Sequence, residues 1–233
     1  MSAQISFENC RAFLNCQWQG ATARPCASAE ARGPAVTISR QAGSGAHTIA
    51  EKLAAHLQSL SPKDAPPWTV FDHNLVEKVL EDHQLPARLA QYMPEDRTSE
   101  FQDSMDELFD LHPPSRTLVH QTSETLLRLA SLGRVILIGR GANIVTSRLP
   151  GVLHVRLVAP FEQRVAHMQE LRKLTRKAAL DVVRREDRGR ARYLKKYFDA
   201  NIDDPLLYHL VINTDWVPVD QAAELIAQAM FRG

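Results

Sequence analysis

The stretch that decides the fold is AVTISRQAGSGAHT, residues 35–48. Its first residues, from Ala35 to Ile38, are apolar or β-branched, and Ser39 follows them. This run predicts a short buried strand. Gly43 and Gly45 follow, and apolar residues then recur at helical spacing from Ile49 to Leu57. A strand, a glycine-bearing loop and a helix form the setting in which backbone N–H groups and a helix N-terminus hold phosphate. The stretch therefore predicts a phosphate-binding loop.

The rest of the chain alternates between short apolar runs and longer helical patterns. Further strands are predicted at 68–71, 134–138, 152–158 and 207–212, and helices at 73–131, 161–198 and 219–231. Parallel strands need crossover connections, and near-continuous apolar strands are buried on both faces. We therefore predict an α/β fold with a mainly parallel five-stranded sheet, helices on both of its faces, and ligands beyond the carboxyl ends of the strands.

The amino-acid composition limits which class of protein the chain can belong to. The 233 residues are 44% hydrophobic and 24% charged, which is typical of a globular protein. The formal net charge of +1 predicts no general attraction to nucleic acid or to an anionic membrane. The three cysteines all lie within the first 26 residues and predict no disulfide framework. Without an apolar run of about 18–20 residues, we predict a cytoplasmic protein, and the oligomeric state stays open.

The loop departs from the standard phosphate-binding pattern, G-x-x-x-x-G-K-[ST]. With Gly45 placed on the second glycine, Arg40 stands where the first glycine belongs and Ala46 where the lysine belongs. His47 and Thr48 follow. Read by itself, this pattern also suits an ordinary strand–turn–helix corner.

Five segments in order strengthen the phosphate-binding interpretation. They are Val36 to Gly45, Ile136 to Ala142, His154 to Arg164, Asp187 to Tyr193, and Asp204 to Thr214. Together they resemble the cytidylate kinase-like family, relatives of the bacterial cytidylate kinases within the P-loop nucleoside monophosphate kinase group. In that family the loop commonly lacks the lysine and reads S-R-x-x-G-S-G. The resemblance covers about residues 35–231 and implies a P-loop kinase-like domain over 34–233, after an N-terminal extension of unknown role at 1–33.

The resemblance implies a donor site for ATP with Mg²⁺. The donor phosphates would lie on Gly43, Ser44, Gly45, Ala46, His47 and Thr48, with Thr48 also a weak candidate for the metal. Arg40 and His47 are the candidates to replace the missing lysine. Arg40 is favoured, because a guanidinium stays charged at pH 7 and histidine is largely neutral.

The resemblance also implies an acceptor site for a small phosphate acceptor, with CMP or dCMP as the family-based expectation. Its predicted residues are Asp72, Arg140, Asp187 and Arg190, and the predicted catalytic arginines are Arg40, Arg140, Arg184 and Arg190. Asp187 would read the cytosine amino group. A basic, lid-like helical region at 161–200 would close over the phosphates. The helical insertion at 73–131 is where acceptor specificity could be rebuilt for a non-nucleotide acceptor.

Alternatives stay open for most of these residues. Asp72 also suits a helix cap, the basic residues after Arg184 suit a solvated helix face, and Asn213 and Thr214 suit a turn as well as a base pocket. His154, within an apolar strand, is predicted to be a satisfied core histidine. Because Ala46 replaces the lysine, the alternatives to a nucleotide kinase are a catalytically weak or inactive nucleotide-binding regulatory protein and a kinase of a non-nucleotide small molecule.

Overall fold

The computed structural model describes residues 33–62, 64–72 and 116–232. The predicted N-terminal extension, apart from residue 33, and the part of the predicted insertion that spans 73–115 lie outside the described residues. The strands are β1 (Ala35–Arg40), β2 (Thr69–Phe71), β3 (Val135–Ile138), β4 (Val152–Val158) and β5 (Leu210–Asn213). The helices are α1 (Ala46–Ser59), α2 (Arg116–Leu132), α3 (Ala142–Val145), α4 (Phe161–Arg172), α5 (Arg176–Phe198) and α6 (Val219–Arg232), with a 3₁₀ turn at Pro205–Leu207.

The five described strands form one parallel sheet in the order β2-β3-β1-β4-β5, which confirms the predicted fold class. β1 lies at its centre, with Val36 opposite Ile136 of β3 on one side and Leu153 of β4 on the other. β2 and β3 lie on one side of β1, and after β3 the chain crosses to β4 on the other side, so the strand order reverses at β1. In such sheets a crevice opens at the carboxyl end of the strand where the order reverses. Arg40 ends β1 at that crevice.

Alternation along β1 divides the core into two faces. Val36 and Ile38 pack with Leu53 of α1 and Ile226 of α6 on one face. Ala35 packs with the α2 side chains Leu126 and Leu129 on the other face. Because both faces are covered, the sheet can be apolar throughout, as the strand composition predicts. A third cluster joins Ala42 of the glycine loop to Val165, Met168, Ala179 and Val183 of α4 and α5.

The single helix predicted over 161–198 is wrong, because the chain breaks at residue 173. Lys173 adopts a left-handed conformation, φ 52°, and ends α4. Thr175 then begins α5 as a true N-cap, since its hydroxyl accepts the Ala178 N–H at 3.4 Å. Two helices therefore fold back on each other beside the glycine loop. None of the described helices combines the length and the apolar content that crossing a bilayer requires.

The start of the predicted fifth strand is also wrong. The strand begins at Leu210, three residues later than predicted, because Pro205 opens a 3₁₀ turn. Asp204 caps that turn by accepting the Leu206 N–H at 2.9 Å. The short helix α3 was not predicted, because four residues carry no periodicity that could reveal it.

His154 is a satisfied core histidine, as predicted. It is 4% exposed, its Nδ1 lies 2.9 Å from the Thr37 hydroxyl, and its ring stacks on His209 at 4.6 Å. Burial first, and the neighbouring His209 second, lower its pKa to about 4. Asn213 and Thr214 make turn contacts: the Asn213 side chain accepts the Asp215 N–H, and the Thr214 hydroxyl donates to the Val158 carbonyl.

Candidate functional site

A cavity of about 1040 Å³ opens at the carboxyl edge of the sheet. Its walls are the end of β1, the glycine loop, the segment that joins β3 to α3, and the facing sides of α4 and α5. Pockets for small ligands commonly measure about 300–1,000 Å³, so this cavity is large enough for two small molecules side by side. It lies where the topology of the sheet predicts a ligand.

The glycine loop places a free helix N-terminus at this cavity. Gly43 and Gly45 have φ values of 81° and 76°, a left-handed conformation in which glycine alone is unstrained. Gly45 is the N-cap of α1, and it has no side chain to bond the first amides of the helix. Such amides, together with the helix dipole, favour an anion. Ser44 is buried and points away, with its hydroxyl donating to the Gln41 carbonyl at 2.8 Å.

The loop is held from outside by α4 and α5. Asp187 of α5 accepts the Ala42 N–H at 2.7 Å, and Arg164 of α4 donates to the Ala42 carbonyl at 3.0 Å. His167 Nδ1 lies 2.7 Å from the Gly43 carbonyl, to which it can donate. A Cβ atom on Gly43 would lie 2.4 Å from the Arg164 carbonyl oxygen, so glycine is needed there for close approach as well as for its φ. The loop geometry therefore depends on the helix pair.

Arg40 is the most perturbed charged group of the cavity. Within the described part of the chain, no hydrogen bond or ion pair holds its guanidinium. Its pKa is lowered to about 9, chiefly through burial and then through Arg190 and Arg140, although Glu186 and Asp72 oppose the change. A positive charge in these surroundings is stabilised by an incoming anion. Arg40 thus lines the cavity as a desolvated cation that Glu186 and Asp72 offset only in part.

The segment Gly139-Arg140-Gly141 forms the opposite wall. Gly139 has a φ of 87°, and a Cβ atom there would lie 1.9 Å from Arg40 Nη1. Gly141, with a φ of 69°, leaves room for the Phe198 ring, which a Cβ atom would approach to 2.7 Å. Between them Arg140 is itself left-handed, at φ 51°, and its guanidinium lies 5.8 Å from the centre of the Tyr193 ring. Gly139 therefore makes room for the Arg40 guanidinium, and Gly141 makes room for the Phe198 ring.

Arg190 completes a group of three arginines at the cavity. Its Nη2 donates to Glu186 at 2.7 Å, and its Nη1 lies 3.3 Å from Asp187. Glu186 also pairs with Arg172 at 2.9 Å. Burial raises the pKa of Glu186, but Arg190 and Arg172 outweigh burial and leave it below its ordinary value. Glu186 is therefore ionised at neutral pH and orients Arg190.

The charge of the cavity is strongly positive although the chain is almost neutral. Among the described lining residues, seven basic side chains face one carboxylate, that of Glu186. The basic residues are Arg40, Arg140, Arg172, Arg185, Arg190, Arg192 and Lys196. Walls of one sign of charge concentrate counter-ions of the other sign. The site is therefore built for an anionic ligand.

Most of the predicted site residues meet in this cavity. Those that line it are Arg40, Gly43, Gly45, Ala46, His47, Thr48, Arg140 and Arg190. Ser44 does not line it, because its hydroxyl donates to the Gln41 carbonyl, and Asp72 lies beside His47, with its Oδ2 3.9 Å from His47 Nδ1. Arg184 lies elsewhere: it stacks over Phe161 at 5.4 Å, on a separate shallow cleft. Asp187 bonds the loop backbone and does not line the cavity.

Several residues of the site were missed from the sequence. Gly139 directly precedes the predicted Arg140, and a glycine at the end of a strand was the signal that could have identified it. His167, Glu186 and Tyr193 lie on helices whose spacing gives no indication of which face meets the loop. Only the fold-back of α4 against α5 brings them to the cavity.

His47 and Thr48 lie in the exposed first turn of α1. Burial of its ring, opposed by Asp72 and assisted by Arg40, lowers the pKa of His47 below its ordinary value. His47 is therefore neutral at pH 7 and supplies no fixed charge. The described residues include no cluster of three or more His, Cys, Asp or Glu side chains that could hold a metal by themselves. The Thr48 hydroxyl and the Asp72 carboxylate fit Mg²⁺ that arrives with a nucleotide, since such Mg²⁺ takes few protein ligands.

Known proteins agree with this architecture. The model of the cytidylate kinase-like family matches residues 35–216. The crystal structure of an uncharacterized protein from Eubacterium ventriosum ATCC 27560 aligns with a TM-score of 0.62 and 19% identity, over 86% of this chain and 99% of that one, which shows the same fold. A shikimate kinase from Acinetobacter baumannii, in complex with shikimate, aligns with a TM-score of 0.44 and 14% identity, over 86% and 94% of the two chains.

A curated relative matches only in part. The uronate isomerase of Corynebacterium glutamicum is 29% identical over 115 residues, which are 49% of this chain and 22% of that protein. This chain thus matches about a fifth of the length of its curated relative.

Proposed function

The chain belongs to the cytidylate kinase-like family, and on that basis we propose that it transfers the γ-phosphoryl group of ATP to a nucleoside monophosphate, CMP or dCMP. The observation that carries the proposal is the convergence of Arg40, Arg140 and Arg190 beside the uncapped N-terminus of α1. Phosphoryl transfer depends mostly on positioning and charge stabilisation. A cavity with these groups provides both.

The donor side of the proposed site is the glycine loop. The amides that open α1 would bind the β- and γ-phosphates, and Thr48 and Asp72 would hold the nucleotide's Mg²⁺, which would neutralise phosphate charge. Arg40 replaces the missing lysine, because its guanidinium is charged and lies at the end of β1 next to the loop. Ala46, at the usual position of that lysine, is 6% exposed and supplies only backbone.

The acceptor side is formed by Arg140 and Arg190, whose planar forks can bind a phosphate group through paired hydrogen bonds. The acceptor's phosphate oxygen attacks the γ-phosphorus, the bond from that phosphorus to the β-phosphate oxygen breaks, and ADP leaves. A phosphate monoester is largely ionised at neutral pH, since its second pKa is about 6. The attacking oxygen therefore needs no general base, which agrees with the scarcity of carboxylates in the cavity. The glycine loop, Arg40, Arg140 and Arg190 would position the two phosphates and offset their charge in this step.

The test is acceptor-dependent ADP formation with Mg·ATP and a panel of nucleoside monophosphates. Turnover should occur with a cytidine nucleotide. Arg140→Ala should raise the KM for the acceptor by about 10- to 100-fold, the range expected when a charged hydrogen-bond partner is lost. Exposed Arg148, at the end of the segment after α3, provides the matched control, and Arg148→Ala should leave the kinetics unchanged. Equal KM values in the two variants would contradict the acceptor assignment.

A nucleotide-binding regulatory role without turnover is the second candidate, and the buried Ala46 favours it. Removing one electrostatic donor from a transition state commonly costs about 3–4 kcal/mol. The same experiment separates the two functions. Binding of Mg·AMP-PNP without ADP formation from any nucleoside monophosphate would exclude the nucleoside monophosphate kinase and leave the regulatory role as a candidate.

A further inference from the structure

The backbone of the glycine loop is held at one residue from both sides. The Ala42 N–H donates to Asp187 Oδ1 at 2.7 Å, and the Ala42 carbonyl accepts from Arg164 Nη1 at 3.0 Å. Arg164 Nη1 also donates to Asp187 Oδ2 at 2.6 Å, which closes the arrangement into a ring. Arg164 is 6% exposed and its Nε donates to the Ala159 carbonyl, so the side chain that closes the ring is fixed. We call these contacts the Ala42 clamp.

Asp187 also contacts Arg190, one of the arginines that line the cavity. Its Oδ1, which accepts the Ala42 N–H, lies 3.3 Å from Arg190 Nη1. Arg190 is held independently by Glu186 at 2.7 Å. The Asp187 carboxylate thus joins three parts: the loop, the buried arginine of α4 and a cavity arginine of α5. Both of its oxygens face protein donors, and no side of it lines the cavity.

We propose that Asp187 is a positioning residue that sets the conformation of the phosphate loop, and that it does not read the acceptor base. Gly43 and Gly45 stand in a left-handed conformation that a free glycine segment leaves readily. The clamp fixes the residue immediately before them. A loop that is pre-organised before the nucleotide binds loses less conformational entropy on binding. The expected change in donor affinity rests on the proposed function. The effect of Asp187 on the loop rests on the geometry alone.

Asp187→Asn tests the clamp with little change of shape. The new amide oxygen can still accept the Ala42 N–H, but its NH₂ group then meets the Arg164 guanidinium, donor against donor. The matched control is Asp181→Asn, an exposed carboxylate on the same helix. In the nucleotide-free protein, amide hydrogen exchange of the peptide that contains residues 41–45 should accelerate by about tenfold or more in Asp187→Asn, as expected for the loss of a charge-assisted contact. The control should match the parent.

Donor and acceptor binding separate positioning from base reading. In Asp187→Asn, calorimetry with Mg·AMP-PNP should give a Kd about tenfold higher or more, while the Kd for CMP changes by less than about twofold. Asp187→Glu, which retains the carboxylate, should recover part of the donor affinity. Unchanged loop exchange, or a loss confined to CMP affinity and cytosine selectivity, would overturn the proposal.

Two further outcomes also test the role of the Ala42 clamp. If Asp187→Asn does not fold, Arg164→Lys takes its place, because a lysine keeps the charge but cannot bridge two carbonyls and a carboxylate; the same exchange and binding criteria apply. If the parent protein binds no nucleotide, the proposed function fails, and the loop exchange alone then supports or refutes the clamp.

Discussion

Replacing Arg40 by methionine should stabilise the nucleotide-free protein and abolish anion binding at the same time. Arg40 stands at the end of β1 with its guanidinium against Gly139, in surroundings where Arg140 and Arg190 add positive charge. Methionine has a similar length and no charge. The variant therefore removes the electrostatic cost and the anion-binding group together, which is the trade-off expected of a functional site.

The magnitude follows from the pKa of Arg40. The pKa of Arg40 is lowered to about 9, chiefly by burial. At about 1.36 kcal/mol for each tenfold change, the fall from the ordinary value of a guanidinium costs about 5 kcal/mol. A lowered pKa in a base means that folding disfavours the charged form. Below about pH 9 the group is charged in both states and the whole cost is present; it is relieved only as the pH rises above about 9. Movement of the side chain and entry of water reduce the realised gain to about 1–3 kcal/mol.

The assay is urea denaturation at pH 7, with thermal unfolding as a second measurement. A gain of about 1–3 kcal/mol should raise the Tm by about 2–12 °C in a chain of this size, and it should be the same at pH 6 and pH 8. Mg·AMP-PNP at 100 times its Kd should raise the free energy of unfolding of the parent by about 2.7 kcal/mol and that of the variant by almost nothing.

Two controls isolate the charge of Arg40. Arg40→Lys keeps a positive charge and should not show the gain, and Arg148→Met changes an exposed arginine and should leave stability unchanged. The reasoning would be refuted by a methionine variant that is less stable than the parent, or by one that retains the stabilisation by nucleotide.

Two other perturbations follow from the geometry. Gly139→Ala should abolish nucleotide binding in calorimetry, because the new Cβ atom would lie 1.9 Å from Arg40 Nη1 at a φ of 87°; retained affinity would show that Arg40 is not needed where it stands. His154→Asn should reduce the loss of stability between pH 7 and pH 4 by about 3 kcal/mol. The reason is that His154, with a folded pKa of about 4 against 6.5, binds its proton only in the unfolded state over that interval. Parallel stability–pH curves in urea denaturation would exclude this role of His154.

The local elements were largely predictable because they depend on neighbours in the sequence. The apolar runs of β1, β3 and β4 predicted buried parallel strands, and the spacing from Ile49 to Leu57 predicted α1. The break at Lys173 was not predictable in this way, because a left-handed lysine leaves no compositional mark. The late start of β5 at Leu210 did have a signal, the proline at 205, which the prediction did not weigh.

The sequence alone determined which residue types could bind an anion. Gly43 and Gly45 follow a predicted strand, and an alanine stands where a lysine is usual. Arg40 and Arg140 follow the ends of two strands, and the carboxyl ends of parallel strands meet at one edge of the sheet. These conclusions need only the positions and the common direction of the strands, and the local sequence pattern is sufficient to predict both.

Only the tertiary structure decided the orientation of the helical side chains. Arg184, Asp187 and Arg190 are spaced by three along α5, and the spacing alone makes them equivalent. Docking against the glycine loop separates them: Arg190 lines the cavity, Asp187 bonds the Ala42 amide, and Arg184 stacks over Phe161. The rotation of a helix about its own axis is set by what it packs against, because several faces of a charged helix are equally soluble. The sequence by itself therefore predicted the phosphate loop, and packing decided which side chains support it.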